Sequence, residues 1–78
     1  MTSNNHNKFN AQKNLLILYT HSDIKKASSF GKRLLLDIDE YPQVHKKDVH
    51  FMLGNVSFLE GEYGRAKDFY RNTLKMGP

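Results

Sequence analysis

The side chains of this chain that could act in catalysis or hold a metal are histidines, carboxylates and serines, since cysteine is absent. His45 and His50 lie five residues apart, whereas two ligands on one face of a helix need a spacing of about four. His21, Ser22 and Asp23 are consecutive, and consecutive residues cannot adopt the geometry of a catalytic triad. These spacings predict neither a metal site nor a nucleophilic enzyme.

Two other kinds of enzyme site are equally disfavoured. Asp37, Asp39 and Glu40 lie at the end of a predicted helix on an open surface, with no apolar pocket that would raise a carboxyl pKa. The five glycines are dispersed along the chain, and none belongs to a phosphate-binding loop. The sequence therefore predicts a protein that is not an enzyme and has no catalytic residues and no cofactor.

The elements that carry these residues belong to one small domain. The chain has 78 residues, of which 38% are hydrophobic and 26% charged. Domains of about this size bury only about 60% of the surface of their unfolded chain, so they are marginally stable alone. Without cysteine there is no disulfide to compensate. We therefore expect help from a binding partner or from neighbouring sequence.

The charge and hydropathy patterns restrict location and partners. The net charge is +4, but no run of five like charges occurs, so the chain has no basic tail. The longest apolar run, residues 15–19, is far shorter than the roughly 20 residues that a membrane-spanning helix needs. The N-terminus lacks the features of a secretory signal. We expect a cytoplasmic or nuclear protein without a membrane span.

The apolar periodicity predicts four helices after a flexible leader at residues 1–10. They cover about residues 11–21, 24–38, 42–60 and 63–76. Short connections of about two to five residues make sequential helices antiparallel neighbours. The predicted fold class is therefore all-α, with two antiparallel helical hairpins.

Individual residues mark the bounds and contacts of these helices. Ser22 is a candidate N-cap of the second helix, and Pro42 fits the first turn of the third. Gly31 lies on the apolar face of the second helix, which predicts a close approach by another helix. The third helix has the most regular spacing, and Gly61 is placed to end it.

Residues 47–78 also carry a set of small, aromatic and turn residues at characteristic distances. They are Leu53, Gly54, Gly61, Tyr63, Ala66, Tyr70 and Pro78. With these residues the segment resembles a tetratricopeptide repeat (TPR), with His50 and Ser57 where that family usually has Trp and Tyr. Residues 11–42 are similar to a degenerate earlier repeat, with Ala27 and Pro42 at roughly corresponding places.

The resemblance implies a short TPR-like α-solenoid over residues 11–78. It places Gly54 and Ala66 where two helices cross, with Tyr63 and Tyr70 filling the adjacent space. Stacked repeats usually need at least three units. The chain is therefore expected to be part of a longer array, or to dock its fourth helix on a partner or a second copy. Phe69, Leu74 and Met76 should then be incompletely covered.

The resemblance further implies a protein–protein interaction module whose first helices line a groove for a peptide or helix. By analogy, the groove residues would be Asp48, Phe51, Asn55, Phe58 and Leu59. The alternative is that Phe51 and Phe58 belong to the core.

Two other functions stay open on the sequence. One is a small chaperone or organelle adaptor of similar fold. The other is a nucleic-acid-binding domain that uses cations of the second and last helices, and both functions are less favoured than the interaction module. These cations are Lys25, Lys26, Lys32, Arg33, Arg65, Arg71 and Lys75.

Overall fold

The computed structural model describes the backbone of residues 2–76 and the side chains from residue 7 onward. Within this part of the chain no strand occurs, and the predicted all-α class is confirmed. The elements are α1 (Thr2–Ser22), α2 (Ile24–Leu36), a 3-10 turn (Ile38–Glu40), α3 (Gln43–Leu59) and α4 (Tyr63–Lys75).

The first helix begins earlier than predicted. It starts at Thr2 rather than Ala11, so the flexible leader expected over residues 1–10 is helical from residue 2. Phe9 anchors the part of this extension that lies next to Ala11, because its ring is buried and lies 4.3 Å from the ring of Tyr41. A single aromatic residue in a polar segment produces no periodic pattern, so the sequence did not reveal this anchor.

The boundary between α1 and α2 lies one residue beyond the predicted cap. Ser22 is the last residue of α1, and its hydroxyl donates to the Leu18 carbonyl at 2.8 Å. Asp23 is the N-cap of α2, and its Oδ1 accepts from the Lys26 amide at 3.2 Å. Its extended backbone, with φ −155°, separates the two helices.

The second helix ends at Leu36, and the 3-10 turn leads to Pro42, which caps α3. Tyr41 is buried in this connection, and its hydroxyl donates to Gln12 Oε1 of α1. Burial raises the pKa of the Tyr41 hydroxyl, and the carboxylates of Asp37 and Glu40 raise it further. The phenol therefore remains a protonated donor that ties the connection to α1.

Three helices meet at Gly31, which confirms the close approach predicted there. A Cβ added at this position would collide with Leu53 Cδ2 of α3 and lie 3.8 Å from Leu16 Cδ1 of α1. The core surrounds this point and contains Phe9, Leu16, Ala27, Leu34, Tyr41, Val49, Leu53 and Val56.

The turn between α3 and α4 forms as predicted at Gly61, which has a φ of +84°. The Gly61 amide donates to the Phe58 carbonyl at 3.0 Å, and the Glu62 amide donates to the Ser57 carbonyl at 2.9 Å. This pair of bonds satisfies carbonyls at the end of α3 in the Schellman arrangement, which requires a left-handed residue.

The small residues predicted at the α3–α4 contact are buried, and one aromatic residue assigned there is not. Ala66 and Gly54 are buried, and a Cβ at Gly54 would lie within 3.0 Å of three Tyr70 ring atoms. Tyr63 was also predicted to fill this space, but it is 62% exposed at the start of α4. Pro78 lies outside the described residues.

Candidate partner-binding cleft

A cleft of about 290 Å³ opens between α1 and α3. Its rim is apolar and accessible: Ile17 is 41% exposed, Phe58 55% and Leu59 59%. The side chains that line it are Ile17, Thr20, His21, Met52, Asn55, Phe58 and Leu59.

An ion pair holds α1 against α3 one helical turn from the cleft. Lys13 Nζ lies 2.6 Å from Asp48 Oδ2, and the Lys13 side chain is largely buried. Ile17 and Met52 follow these two residues by four positions, so the same helix faces continue into the cleft. Asp48, predicted as a groove residue, therefore contacts α1 instead of lining the cleft.

Asn55 provides the only side-chain amide among the described residues that line the cleft, and a hydrogen bond from α4 holds it in place. The Tyr70 hydroxyl donates to Asn55 Oδ1 at 2.7 Å. This bond assigns the Asn55 Nδ2 group as the remaining donor, and no described residue accepts from it. Because the Tyr70 ring also packs against Gly54, the amide is held by the α3–α4 contact.

The structure brings three of the five predicted groove residues together: Asn55, Phe58 and Leu59 line the cleft. Phe51 lies elsewhere, with its ring 5.8 Å from Tyr70. The alternative that Phe51 and Phe58 belong to the core is wrong, since both are more than half exposed. Phe58 instead contacts Tyr63 edge-on, with ring centroids 5.2 Å apart.

Phe51 belongs to a second apolar depression, of about 340 Å³, which it shares with Tyr70, Thr73 and Leu74. Leu74 is 79% exposed, in agreement with the prediction that the last helix is incompletely covered. Phe69 is better covered than expected, because it packs against the core and lies 6.0 Å from the His50 ring.

Sequence reasoning missed the α1 side of the cleft, which Ile17, Thr20 and His21 provide. The continuous apolar run of residues 15–19 contained the relevant signal. A helix that packs on one side cannot bury five consecutive apolar residues, so part of the run must face outward.

The described histidines and carboxylates form no group of three or more that could hold a metal ion. His50 is half-buried, and its Nδ1 has no hydrogen-bond partner among the described residues. Burial lowers the pKa of His50, and the nearby charge of Lys46 lowers it further. The imidazole is thus favoured in its neutral form where it packs against Phe69.

No protein-family model, curated protein or solved structure matches this chain. Within residues 2–76, no helix combines the length and apolar character needed to cross a membrane.

Proposed function

We propose that this chain is a TPR-like interaction module that binds a peptide or helix of another protein in the α1–α3 cleft. The observation that carries the proposal is the exposed apolar rim of Ile17, Phe58 and Leu59 around the fixed amide of Asn55. Apolar contacts would supply affinity, and the amide donor would orient the ligand.

The order of contacts between α1 and α3 supports a repeat arrangement. Phe9 contacts His45 with ring centroids 5.2 Å apart, and Lys13 pairs with Asp48 one turn further along both helices. When each successive contact lies later in both helices, the two helices run parallel to each other. The Lys13–Asp48 separation of 35 residues is close to the TPR period of about 34.

The contacts between α3 and α4 advance in opposite senses, as in a helical hairpin. Phe58 meets Tyr63 beside the turn, whereas Phe51, earlier in α3, meets Tyr70, later in α4. Antiparallel hairpins whose first helices run parallel are the arrangement that the TPR resemblance implies. In that arrangement the first helices border a common groove, where this cleft lies.

The cleft chemistry favours a ligand with apolar side chains and at least one accessible carbonyl. An extended peptide offers backbone acceptors to Asn55 Nδ2 and side chains to the rim. A helix offers an apolar stripe, with a side-chain or terminal carbonyl as the acceptor. Among the described residues no Asp, Glu, Lys or Arg lines the cleft, so strong dependence on ligand charge is not expected.

A peptide-display selection tests the proposal, with affinities of the recovered peptides measured by fluorescence anisotropy. We expect Phe58→Ala to weaken binding by about 30-fold, or about 2 kcal/mol, if Phe58 is an interface hot spot. Leu74→Ala is the matched control, because Leu74 is exposed but lies on α4 outside the cleft. It should change affinity less than about twofold, on the scale of near-neutral contacts.

The Asn55 contribution is tested separately with Asn55→Asp. This change keeps the acceptor for Tyr70 but removes the Nδ2 donor, so affinity should fall while the helical circular dichroism spectrum is retained. Peptides that bind all three variants with wild-type affinity would show that the cleft is not the binding site. Recovery of no cleft-dependent peptide would contradict the proposal as a whole.

A further inference from the structure

The net positive charge of the chain is concentrated on one helix. The whole chain has 12 Lys and Arg against 8 Asp and Glu. Four of those cations lie on α2, which contains no carboxylate, so the rest of the chain has eight of each sign. The four are Lys25, Lys26, Lys32 and Arg33.

These four cations are exposed, and none forms an ion pair with a described carboxylate. Lys25 and Lys32 lie seven residues apart, or two turns and about 10 Å along the axis. Lys26, Ser29 and Arg33 border an open depression of about 450 Å³ on the outer side of the α1–α2 pair. Of the described residues at its edge, Asp23 is the only carboxylate, and it accepts from the Lys26 amide as the N-cap of α2.

An apolar side chain accompanies this charge. Leu36 follows Lys32 by four residues and Arg33 by three, so it projects from the same face of α2. It is 86% exposed, the highest fraction among the large hydrophobic residues that the structure describes. The outer face of α2 thus combines a row of cations with a leucine at its C-terminal end.

We propose that this outer face of α2 binds an anionic lipid surface. Each cation near such a surface is attracted to the negative headgroups, and an exposed leucine can enter the interfacial region. A flat bilayer can meet all four cations and Leu36 together, because they lie along one side of one helix. The four cations are exposed and form no ion pair with a described carboxylate, so they are available to lipid headgroups.

A nucleic acid would satisfy the cations but not the rest of the face. Between the two cation pairs, the side chain exposed toward solvent is Ser29, which offers no amide to read base edges. The nearby aromatic residues, Tyr19 and Phe30, pack edge-on at 5.7 Å, and Lys26 lies 6.0 Å above the Tyr19 ring. These rings are therefore not free platforms for stacking bases. Leu36 would also have no apolar counterpart on a phosphate backbone.

The outer face of α2 is separate from the α1–α3 cleft. Tyr19 contacts α2, whereas Ile17 lines the cleft, and two positions along a helix project in nearly opposite directions. The full chain can therefore occupy a membrane surface with its cleft empty or filled, and this inference does not depend on the proposed function.

Vesicle co-sedimentation of the full chain tests the inference, with phosphatidylcholine vesicles that contain or lack 30% phosphatidylserine. We expect binding only to the anionic vesicles, weakening as salt increases. Lys32→Gln/Arg33→Gln should lower the partition coefficient about 25-fold, since each cation near the surface contributes roughly a factor of five. The matched control, Lys67→Gln/Arg71→Gln, removes the same two charges from exposed positions on α4 and should have an effect below about twofold if α2 is the contact face.

The leucine is tested with Leu36→Ser, which should lower anionic-vesicle binding about tenfold, and Leu74→Ser serves as its exposed control. Circular dichroism verifies that all four variants fold. Equal losses in the α2 and α4 charge variants would overturn the inference, as would equal binding to both kinds of vesicle. Binding to a 20-nucleotide single-stranded DNA without binding to anionic vesicles would also overturn it, in favour of a nucleic-acid partner.

Discussion

Replacing Gly54 by alanine should destabilise the contact between α3 and α4. The added Cβ would meet three atoms of the Tyr70 ring within 3.0 Å, a separation that real Cβ atoms essentially never show. The ring cannot move away freely, because its hydroxyl donates to Asn55 and its centroid lies 5.8 Å from that of the Phe51 ring. Something must therefore shift to accommodate one methyl group.

Two opposing effects determine the size of the loss. Overpacking a well-packed contact typically costs about 1–3 kcal/mol. Alanine has a higher helix propensity than glycine, which returns about 1 kcal/mol in a helix interior. We expect a net decrease of about 1 kcal/mol in the free energy of unfolding. With a urea m-value of about 1 kcal/mol/M, the unfolding midpoint would fall by roughly 1 M.

The assay is urea unfolding followed by circular dichroism at the helical minimum, with Gly64→Ala as the control. Gly64 lies in the first turn of α4, where an added Cβ meets nothing within 4 Å. The same chemical change should stabilise the protein there, by about 0.5 kcal/mol, because no contact opposes the propensity gain. The two glycine variants are thus expected to move the midpoint in opposite directions.

A second background separates the ring contact from other effects. In a Tyr70→Leu protein the ring is absent, so Gly54→Ala should become neutral or stabilising. If Gly54→Ala raises the midpoint in the wild-type background, the close contact with Tyr70 is wrong. An equal loss in both backgrounds would mean that the cost arises somewhere other than the ring.

Three further predictions concern the turn, the half-buried His50 and an ion pair. Gly61→Ala should lower the free energy of unfolding by about 1 kcal/mol, since its φ of +84° strains an L-residue although the surrounding space is empty; a urea midpoint equal to the wild type would contradict this. The pKa of His50 is lowered in the fold, so its contribution to stability is complete above about pH 6.5, the unfolded value, and is lost as the pH falls through the folded pKa. The midpoint of the wild type should therefore fall more than that of His50→Gln between pH 7 and pH 5, and parallel curves would refute the assignment. Finally, a double-mutant cycle on Lys13→Met and Asp48→Asn, measured on the free energy of unfolding, should give a coupling energy of about 1 kcal/mol that decreases at high salt. A coupling energy of zero at low salt would show that the ion pair does not hold α1 to α3.

Local signals in the sequence were sufficient for most helix bounds. Gly61 and Pro42 mark the end and start of α3 because their backbone restrictions act within a single turn, whatever surrounds them. The role of Gly31 was also predictable, since a glycine on the apolar face of a helix leaves room for another helix to pack closely against it. The early start of α1 was not predictable, because Phe9 is buried by contacts with Tyr41 and His45, which are 32 and 36 residues away.

The candidate cleft was predictable only in part, for a similar reason. The spacing of Asn55, Phe58 and Leu59 placed them on α3, but it could not show that α1 supplies the opposite wall. Phe51 and Phe58 have the same residue type on one helix, yet one meets Tyr70 and the other Tyr63. Residue type cannot distinguish them, because the position at which α4 crosses α3 determines which ring each phenylalanine contacts.

The sequence by itself determined the helical class, the turns and the concentration of positive charge on α2, because backbone restrictions, apolar periodicity and charge are properties of neighbouring residues. Only the tertiary structure decided which apolar side chains stay exposed and which helix lines the cleft opposite Asn55. It also decided that Asp48 pairs with Lys13. Those outcomes depend on the relative placement of whole helices. That placement is the collective result of packing Leu16, Gly31 and Leu53 together, and no single stretch of the chain specifies it.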